Sequence, residues 1–284
     1  MPRPPKRSKP TARHRLDAAL VERGLAESRA VALRLILAGE VRVDGELALK
    51  GSRLVREEQV LEVLSGPAYV SRGGDKLAAA LSAFELAVAG RACADVGAST
   101  GGFTDCLLQH GAKAVFAIDV GHGILHWKLR QDPRVVVMER TNARYLAELP
   151  TPVDLVTIDV AFISLGLILP VVVNWLTPNG DVVALVKPQF EAGKEAVGMG
   201  GVVRDPAVHR KVLGDVIGFS ASAGLAPQGL IRSSLRGPKG NVEFLLWGKK
   251  GGEAKSLGEE IERAVELSAL SHPQSAKPKT SPGG

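Results

Sequence analysis

The chain has 284 residues, 45% hydrophobic and 4% aromatic, with 36 Lys and Arg against 30 Asp and Glu for a formal charge of +6. That content can bury one full core and a small accessory one, so one or two globular domains are expected. No run of about 18 uninterrupted apolar residues occurs, which excludes a helical membrane span, and Met1 to Arg15 is basic and proline-rich without the apolar core of a signal peptide, so a cytoplasmic protein is expected. The two cysteines, Cys93 and Cys106, have no metal-ligand spacing and are too few for a disulfide scaffold; both read as core thiols, and no metal is expected.

Arg3, Lys6, Arg7, Lys9, Arg13 and Arg15 all precede the first acid, Asp17. Such a block, here 1–14, reads as a flexible arm that can pair with phosphates, because each cation that neutralises one releases a counterion. From Arg15, Leu16 and Leu20 lie four apart on one helical face, and Gly24 stops that helix. Ser28 can cap a second helix with Ala32, Leu35 and Ile36 on its apolar face, Arg29 and Arg34 on its polar side, and Gly39 at its end. Val41 and Val43 alternate with polar residues up to Asp44-Gly45, a strong hairpin signal.

Two short helices feeding a hairpin, from Ser28-Arg29 through Gly45, resemble the S4-type RNA-binding domain, a small α+β module, over 15–65. The resemblance implies that Arg29, Arg34 and Arg42 face folded RNA, and Arg13 and Arg15 of the basic N-terminal block are expected to join them. No aromatic platform is visible in this segment, which favours structured RNA over stacked single strands.

After a linker at 66–71, apolar runs and helical stretches alternate across 72–250, the rhythm of an α/β sheet. Runs at Arg91–Val96, Ala114–Val120, Val135–Met138, Val153–Val160 and Val182–Val186 predict five parallel strands. Leu230–Leu235 and Glu243–Trp247 predict a closing hairpin with one antiparallel strand. The first run ends in Asp95-Val96-Gly97-Ala98-Ser99-Thr100-Gly101-Gly102-Phe103, a glycine-rich strand-to-helix turn of the kind that lets backbone approach a ligand at the carboxyl edge of a sheet. Ser99 stands where a dinucleotide fingerprint needs its middle glycine, which disfavours a nicotinamide enzyme. From Phe190 to Asp205 the glycines read as a mobile loop. Past Lys250, Glu259, Ile261, Val265 and Leu267 suggest an amphipathic helix, and the rest of 251–284 reads as disordered tail.

This turn resembles the first motif of Rossmann-like methyltransferases, and its glycine pair followed by an aromatic is similar to FtsJ-type RNA 2'-O-methyltransferases. The resemblance implies a mostly parallel seven-stranded sheet that binds S-adenosylmethionine through Asp95 and the turn Gly97 to Phe103, with Asp119 on the ribose and Asn142 on the adenine edge. After the fourth run stands Asp159-Val160-Ala161-Phe162, without the Pro-Pro of amino-group methyltransferases. No cysteine follows the fourth or fifth run, as a carbon-5 enzyme would require. Lys76, Asp159, Lys187 and Glu243 follow the Lys, Asp, Lys, Glu order of FtsJ-type enzymes. Together with the S4-type segment, the chain is similar to the TlyA family from about Arg15 to Trp247, which implies methylation of cytidine 2'-oxygens in ribosomal RNA, free or in ribosomal subunits. In that reading Lys187 is the candidate base, or else a donor that positions the hydroxyl, Lys76 is a neighbouring cation, and Asp159 and Glu243 hold the lysines and orient the ribose. Two other readings are a membrane-lytic protein, which the low aromatic content and soluble periodicity oppose, and an RNA-binding protein with a dead transferase fold, which the intact tetrad opposes.

Overall fold

The computed structural model describes residues 13–37, 39–64, 68–198, 200–237 and 239–270. Arg3, Lys6, Arg7 and Lys9 of the expected arm, and the expected tail after 270, lie outside them. The chain divides into two compact units between Ala68 and Tyr69.

The first unit begins with β1 (Arg13–Arg15), α1 (Leu16–Glu22) and α2 (Arg29–Leu37), followed by β2 (Val41–Val43), β3 (Glu46–Leu47), β4 (Leu54–Arg56) and β5 (Leu61–Val63). Leu16, Leu20, Ala32, Ile36, Val41, Val43 and Val55 close a core in which each has 0% exposure. The Ser28 hydroxyl accepts from the Val31 N–H at 3.3 Å and so caps α2. Asp44 and Gly45, both at positive φ, turn β2 into β3, the backbone a tight hairpin requires. One expectation needs correction. Arg13, placed in the arm, belongs with Arg15 to β1, which pairs antiparallel with β4. The segment has no apolar alternation; its strand character comes from a partner some forty residues away in sequence (Arg13 opposite Arg56).

The second unit runs α3 (Gly73–Ala83), β6 (Ala92–Val96), α4 (Gly102–Gln109), β7 (Ala114–Ile118), α5 (Trp127–Arg130), β8 (Val135–Met138), β9 (Val153–Ile158), α6 (Leu169–Val172), β10 (Leu176–Val186), α7 (Pro188–Glu191), α8 (Pro206–Ser222), β11 (Leu225–Arg232), β12 (Phe244–Lys250) and α9 (Gly258–Leu270). Its seven strands lie in the order β11-β12-β10-β9-β6-β7-β8, with β12 antiparallel to both neighbours and the other pairs parallel. The chain order reverses between β9 and β6, and an open α/β sheet forms its binding crevice at that switch point. Every residue of β6 is buried: Ala92, Ala94 and Val96 enter one core layer, and Cys93 enters the other. Cys106 is buried in the same layer as Cys93, and burial pushes both thiols up to about 12.

The late strand is longer than expected. The run placed at Leu230–Leu235 is Leu225–Arg232, with a register shift between Pro227 and Gly229. Proline is tolerated there because β11 is an edge strand. In α9, Ala264 and Val265 face the core, whereas Leu267 is 48% exposed, so the apolar stripe is turned from the expected one. The segment 190–205 is not wholly irregular either: it holds the end of α7 and a short 3-10 turn, Lys194–Ala196.

The N-termini of α3 and α4 meet at Gly102, where an added Cβ would lie 2.3 Å from Ser71 Oγ and 2.9 Å from the Gly74 nitrogen. Backbone cannot step aside as a side chain can, so Gly102→Ala overpacks this junction. We expect a loss of about 1–3 kcal/mol, read as a lower midpoint in urea unfolding, and an unchanged midpoint would refute the tight contact.

Candidate active site

β6 delivers the chain into Gly97 at φ +83, and the Gly97 and Ala98 N–H groups both donate to Ile118 O at the end of β7. A Cβ on Gly97 would stand 2.5 Å from Asp159 O and 2.9 Å from its carbonyl carbon. Any side chain would therefore push the turn off the end of β9. The Asp159 N–H donates to Val96 O at 2.9 Å, so the two strand ends are locked side by side.

Four charged side chains converge beyond these ends as two ion pairs. Lys187, just past β10, places Nζ 2.5 Å from Asp159 Oδ1 and donates to Val160 O at 2.9 Å. Lys76, in the first turn of α3, places Nζ 2.5 Å from Glu243 Oε2, the residue before β12. Two cavities adjoin the pairs, one of about 540 Å³ and one of about 210 Å³, and both are walled by Gly97, Ser99 and Asp159. Lys187 lines the larger and Lys76 the smaller. Glu243 is only 1% exposed and bears on the site through Lys76.

The expected cofactor residues separate into three groups. Ala98, Ser99, Thr100, Gly102 and Phe103 line the smaller cavity with Gly97. Asp119 and Asn142 line the larger, among Ile118, Val120, Ile124 and Ile163. Asp119 also braces the turn, accepting from Ser99 N–H at 2.8 Å and Gly121 N–H at 2.7 Å. Asn142 caps the 3-10 turn Ala143–Tyr145 by accepting from Arg144 N–H. Asp95 and Gly101 form the third group, and for them direct ligand contact is corrected. Asp95 has 0% exposure and accepts from the Thr104 hydroxyl at 2.7 Å and the Thr157 hydroxyl at 3.3 Å, tying α4 to β6 and β9. Gly101 sits at φ +98, a backbone region that residues with a side chain rarely adopt, and a Cβ there would also press on the Cδ1 atoms of Leu125 and Leu129.

In the first unit, Arg15 and Arg29 both grip Asp17, Arg34 is exposed on α2, and Arg13 is exposed on β1. Arg42 is held by Gly45 O and stands opposite Glu62 on the other ribbon.

Several contributors carry no strong sequence signal. Glu191 accepts from the Ser164 hydroxyl at 2.7 Å and Leu165 N–H at 2.9 Å, joining the loop after β9 to the helix after Lys187; burial raises its pKa. Phe162 adopts φ +64, an uncommon backbone for a bulky residue, and its ring, 90% exposed, sits 4.9 Å from that of Phe190. Asn241 donates to Gly201 O and accepts from Val203 N–H, pinning the glycine-rich loop. The Pro188-Gln189-Phe190-Glu191 run beside Lys187 was the visible hint to the first two.

The chain matches the FtsJ-like methyltransferase family over residues 69–250 and the S4 domain over 14–61. It is 49% identical over 261 residues to the 16S/23S rRNA (cytidine-2'-O)-methyltransferase TlyA of Mycobacterium tuberculosis, covering 89% of this chain and 97% of the relative. It is 40% identical over 237 residues to Hemolysin A of Brachyspira hyodysenteriae, covering 81% and 98%. A solved structure from Streptococcus thermophilus, named as a hemolysin, superposes with a TM-score of 0.71 at 42% identity, covering 92% of this chain and 97% of that one.

Burial, with the nearby charge of Asp159 a smaller cause, pushes the Asp95 carboxyl up to about 7. In the unfolded chain the same group ionises near its ordinary value, about 4. Between those values the folded state holds a proton that the unfolded state has released, so the stability Asp95 contributes is full below about pH 4 and falls as pH rises through about 7. Urea melts of wild type and Asp95→Asn across this range should show wild type losing ground steadily with pH, and a pH-independent difference would refute it.

Proposed function

The chain belongs to the FtsJ-like methyltransferase family, in its TlyA branch with an N-terminal S4 domain, and from that membership we propose that it transfers a methyl group from S-adenosylmethionine to the ribose 2'-hydroxyl of cytidine in ribosomal RNA. The observation that carries this reading is the pair of ion pairs, Lys187 with Asp159 and Lys76 with Glu243, standing where the two cavities meet.

The residues present fit the cofactor. The larger cavity offers apolar walls for a purine, the Asn142 side chain near its edge and the Asp119 carboxylate for a ribose diol. The smaller cavity offers the close backbone of Ala98 to Thr100 and the charges of Lys76 and Asp159, which suit a zwitterionic amino-acid end. When bound, S-adenosylmethionine supplies an electrophilic methyl group on a sulfonium.

The protein's own residues then align the acceptor. Asp159 and Val160 O fix Lys187, so Nζ reaches the hydroxyl from one direction. Glu243 holds Lys76 at the cavity wall and keeps its ammonium from swinging into solvent. Lys187 Nζ is the group placed to take the hydroxyl proton. Phe162 offers an exposed ring for a base to stack upon. In the S4 domain, Arg13, Arg15, Arg29 and Arg34 hold the RNA by its phosphates; Arg42 is the weakest member, given its bond to Gly45 O. Among the described residues no helix is long and apolar enough to cross a membrane, which gives the lytic reading no helical support.

Lys187→Ala should lower methyl transfer to ribosomal RNA by about 10²- to 10⁴-fold, with cofactor affinity by calorimetry within a few-fold of wild type. Lys187→Arg keeps the charge but cannot accept the proton, and it should be equally inactive. Near-wild-type transfer by the arginine variant would reduce Lys187 to a positioning donor; near-wild-type transfer by the alanine variant would remove it from the reaction.

A further inference from the structure

Asp17 is a nearly buried carboxylate reached by two guanidinium groups. Arg15 grips both its oxygens, Nε to Oδ1 at 3.0 Å and Nη2 to Oδ2 at 2.9 Å, and Arg29 adds Nη2 to Oδ2 at 3.0 Å. The backbone fixes the carboxylate in turn: Oδ1 accepts from Ala18 N–H at 2.9 Å, and the Asp17 N–H donates to Gly51 O at 3.1 Å. The bond from Arg15, above all, holds this carboxyl well below the usual carboxylate range. The side chain of Asp17 is 8% exposed, whereas those of Arg15 and Arg29 are 50% and 61% exposed. A guanidinium has five N–H donors, and these bonds leave most of them to an outside partner.

A second observation points to the same face. The register of β1 with β4 sets Arg13 directly opposite Arg56, and Arg13 and Arg15 project from the same side of their strand. Like charges directly opposite each other weaken a ribbon. Both are exposed, and among the described residues neither is in an ion pair with an acid. The ribbon face that carries Arg13, Arg15 and Arg56 thus adjoins an already saturated carboxylate that also holds Arg29, an arrangement that a polyanion relieves.

We propose that Asp17 is a positioning residue that holds Arg15 and Arg29 as a preformed fork for an RNA phosphodiester, with Arg13 and Arg56 extending the same face. The proposal rests on the RNA reading above and names a partner for that domain's surface. Arginine suits the task because its planar fork matches two phosphate oxygens, and holding it in place beforehand removes part of the ordering cost of binding.

Charge alone and preorganisation predict opposite signs for Asp17→Asn. Deleting a negative charge beside a phosphate should tighten binding; freeing two arginines should weaken it. With the full chain and a ribosomal RNA fragment, read by fluorescence anisotropy over a salt series, we expect the Asp17→Asn Kd to rise roughly tenfold at constant salt slope, since the number of cations is unchanged. The double variant Arg15→Lys, Arg29→Lys keeps both charges, loses the fork and should weaken binding by about fivefold. A folded Asp17→Asn protein that binds RNA as tightly as wild type or more tightly overturns the proposal, including when its thermal midpoint falls, since that is the outcome of a merely structural ion pair. If Asp17→Asn does not fold, an unchanged Kd in the double lysine variant overturns it instead. Methyl transfer by wild type, read in parallel, separates the two claims. Transfer with an unaffected Asp17→Asn Kd rejects the fork alone, RNA binding through the fork without transfer rejects the transferase reading alone, and a wild type that does not bind RNA rejects both.

Discussion

At Gly97 the chain turns out of β6 against the carbonyl of Asp159, so close that a single methyl group would stand 2.5 Å from that oxygen. This approach sets the geometry of everything around it. It brings the glycine-rich turn onto the end of β9, so one residue, Asp159, borders both cavities and also receives Lys187. Asp119 secures the far side of the turn through the Ser99 N–H, and Asp95 secures it from beneath through Thr104. Asp119 and Asp95 thus brace the turn through their carboxylates and Asp159 through its backbone, and of the three only Asp95 is wholly withdrawn from the cavities.

The charged groups of the site are distributed by a similar logic. A buried ion pair gives little net stability, because removing both charges from water costs about what their attraction returns. The Lys76–Glu243 pair is nevertheless almost fully enclosed. Its value lies in orientation: Glu243 has no access to the cavities and fixes an ammonium that does. Lys187 is restrained likewise by Asp159 and a backbone carbonyl. In the first unit Asp17 plays the corresponding part for Arg15 and Arg29, at the surface instead of the interior. In all three places an acid decides where a cation points, and Asp159 alone of these acids also lines the cavities.

The loops that complete the site depend on contacts with little trace in local pattern. Glu191 and Asn241 tie the segments after β9, β10 and β11 to one another through backbone atoms. Phe162 keeps an unfavourable φ beside Phe190, and strain of this kind persists where surrounding structure holds it in place. Gly101 and Gly102 read alike as parts of a cofactor turn, yet one takes a backbone angle that side chains disfavour and the other makes room for the start of α3. Composition could not separate them, because the reason for each glycine is the backbone angle it takes or the neighbour it admits.

The sequence by itself determined where the parallel strands of the central sheet fall, though not the full length of β10 or the bounds of β11, and also the turn after Val96, the Asp44-Gly45 hairpin and the chain order of Lys76, Asp159, Lys187 and Glu243. Each is written in spacing over a few residues or in turn chemistry, which local sterics and apolar periodicity enforce. Only the tertiary structure decided that Arg13–Arg15 is a strand, that Asp95 lies beneath the turn instead of facing a ligand, and which lysine meets which carboxylate. The physical reason is range. Lys76 and Glu243 are 167 residues apart, and the direction a side chain takes at a strand end depends on register with neighbours that no local window contains.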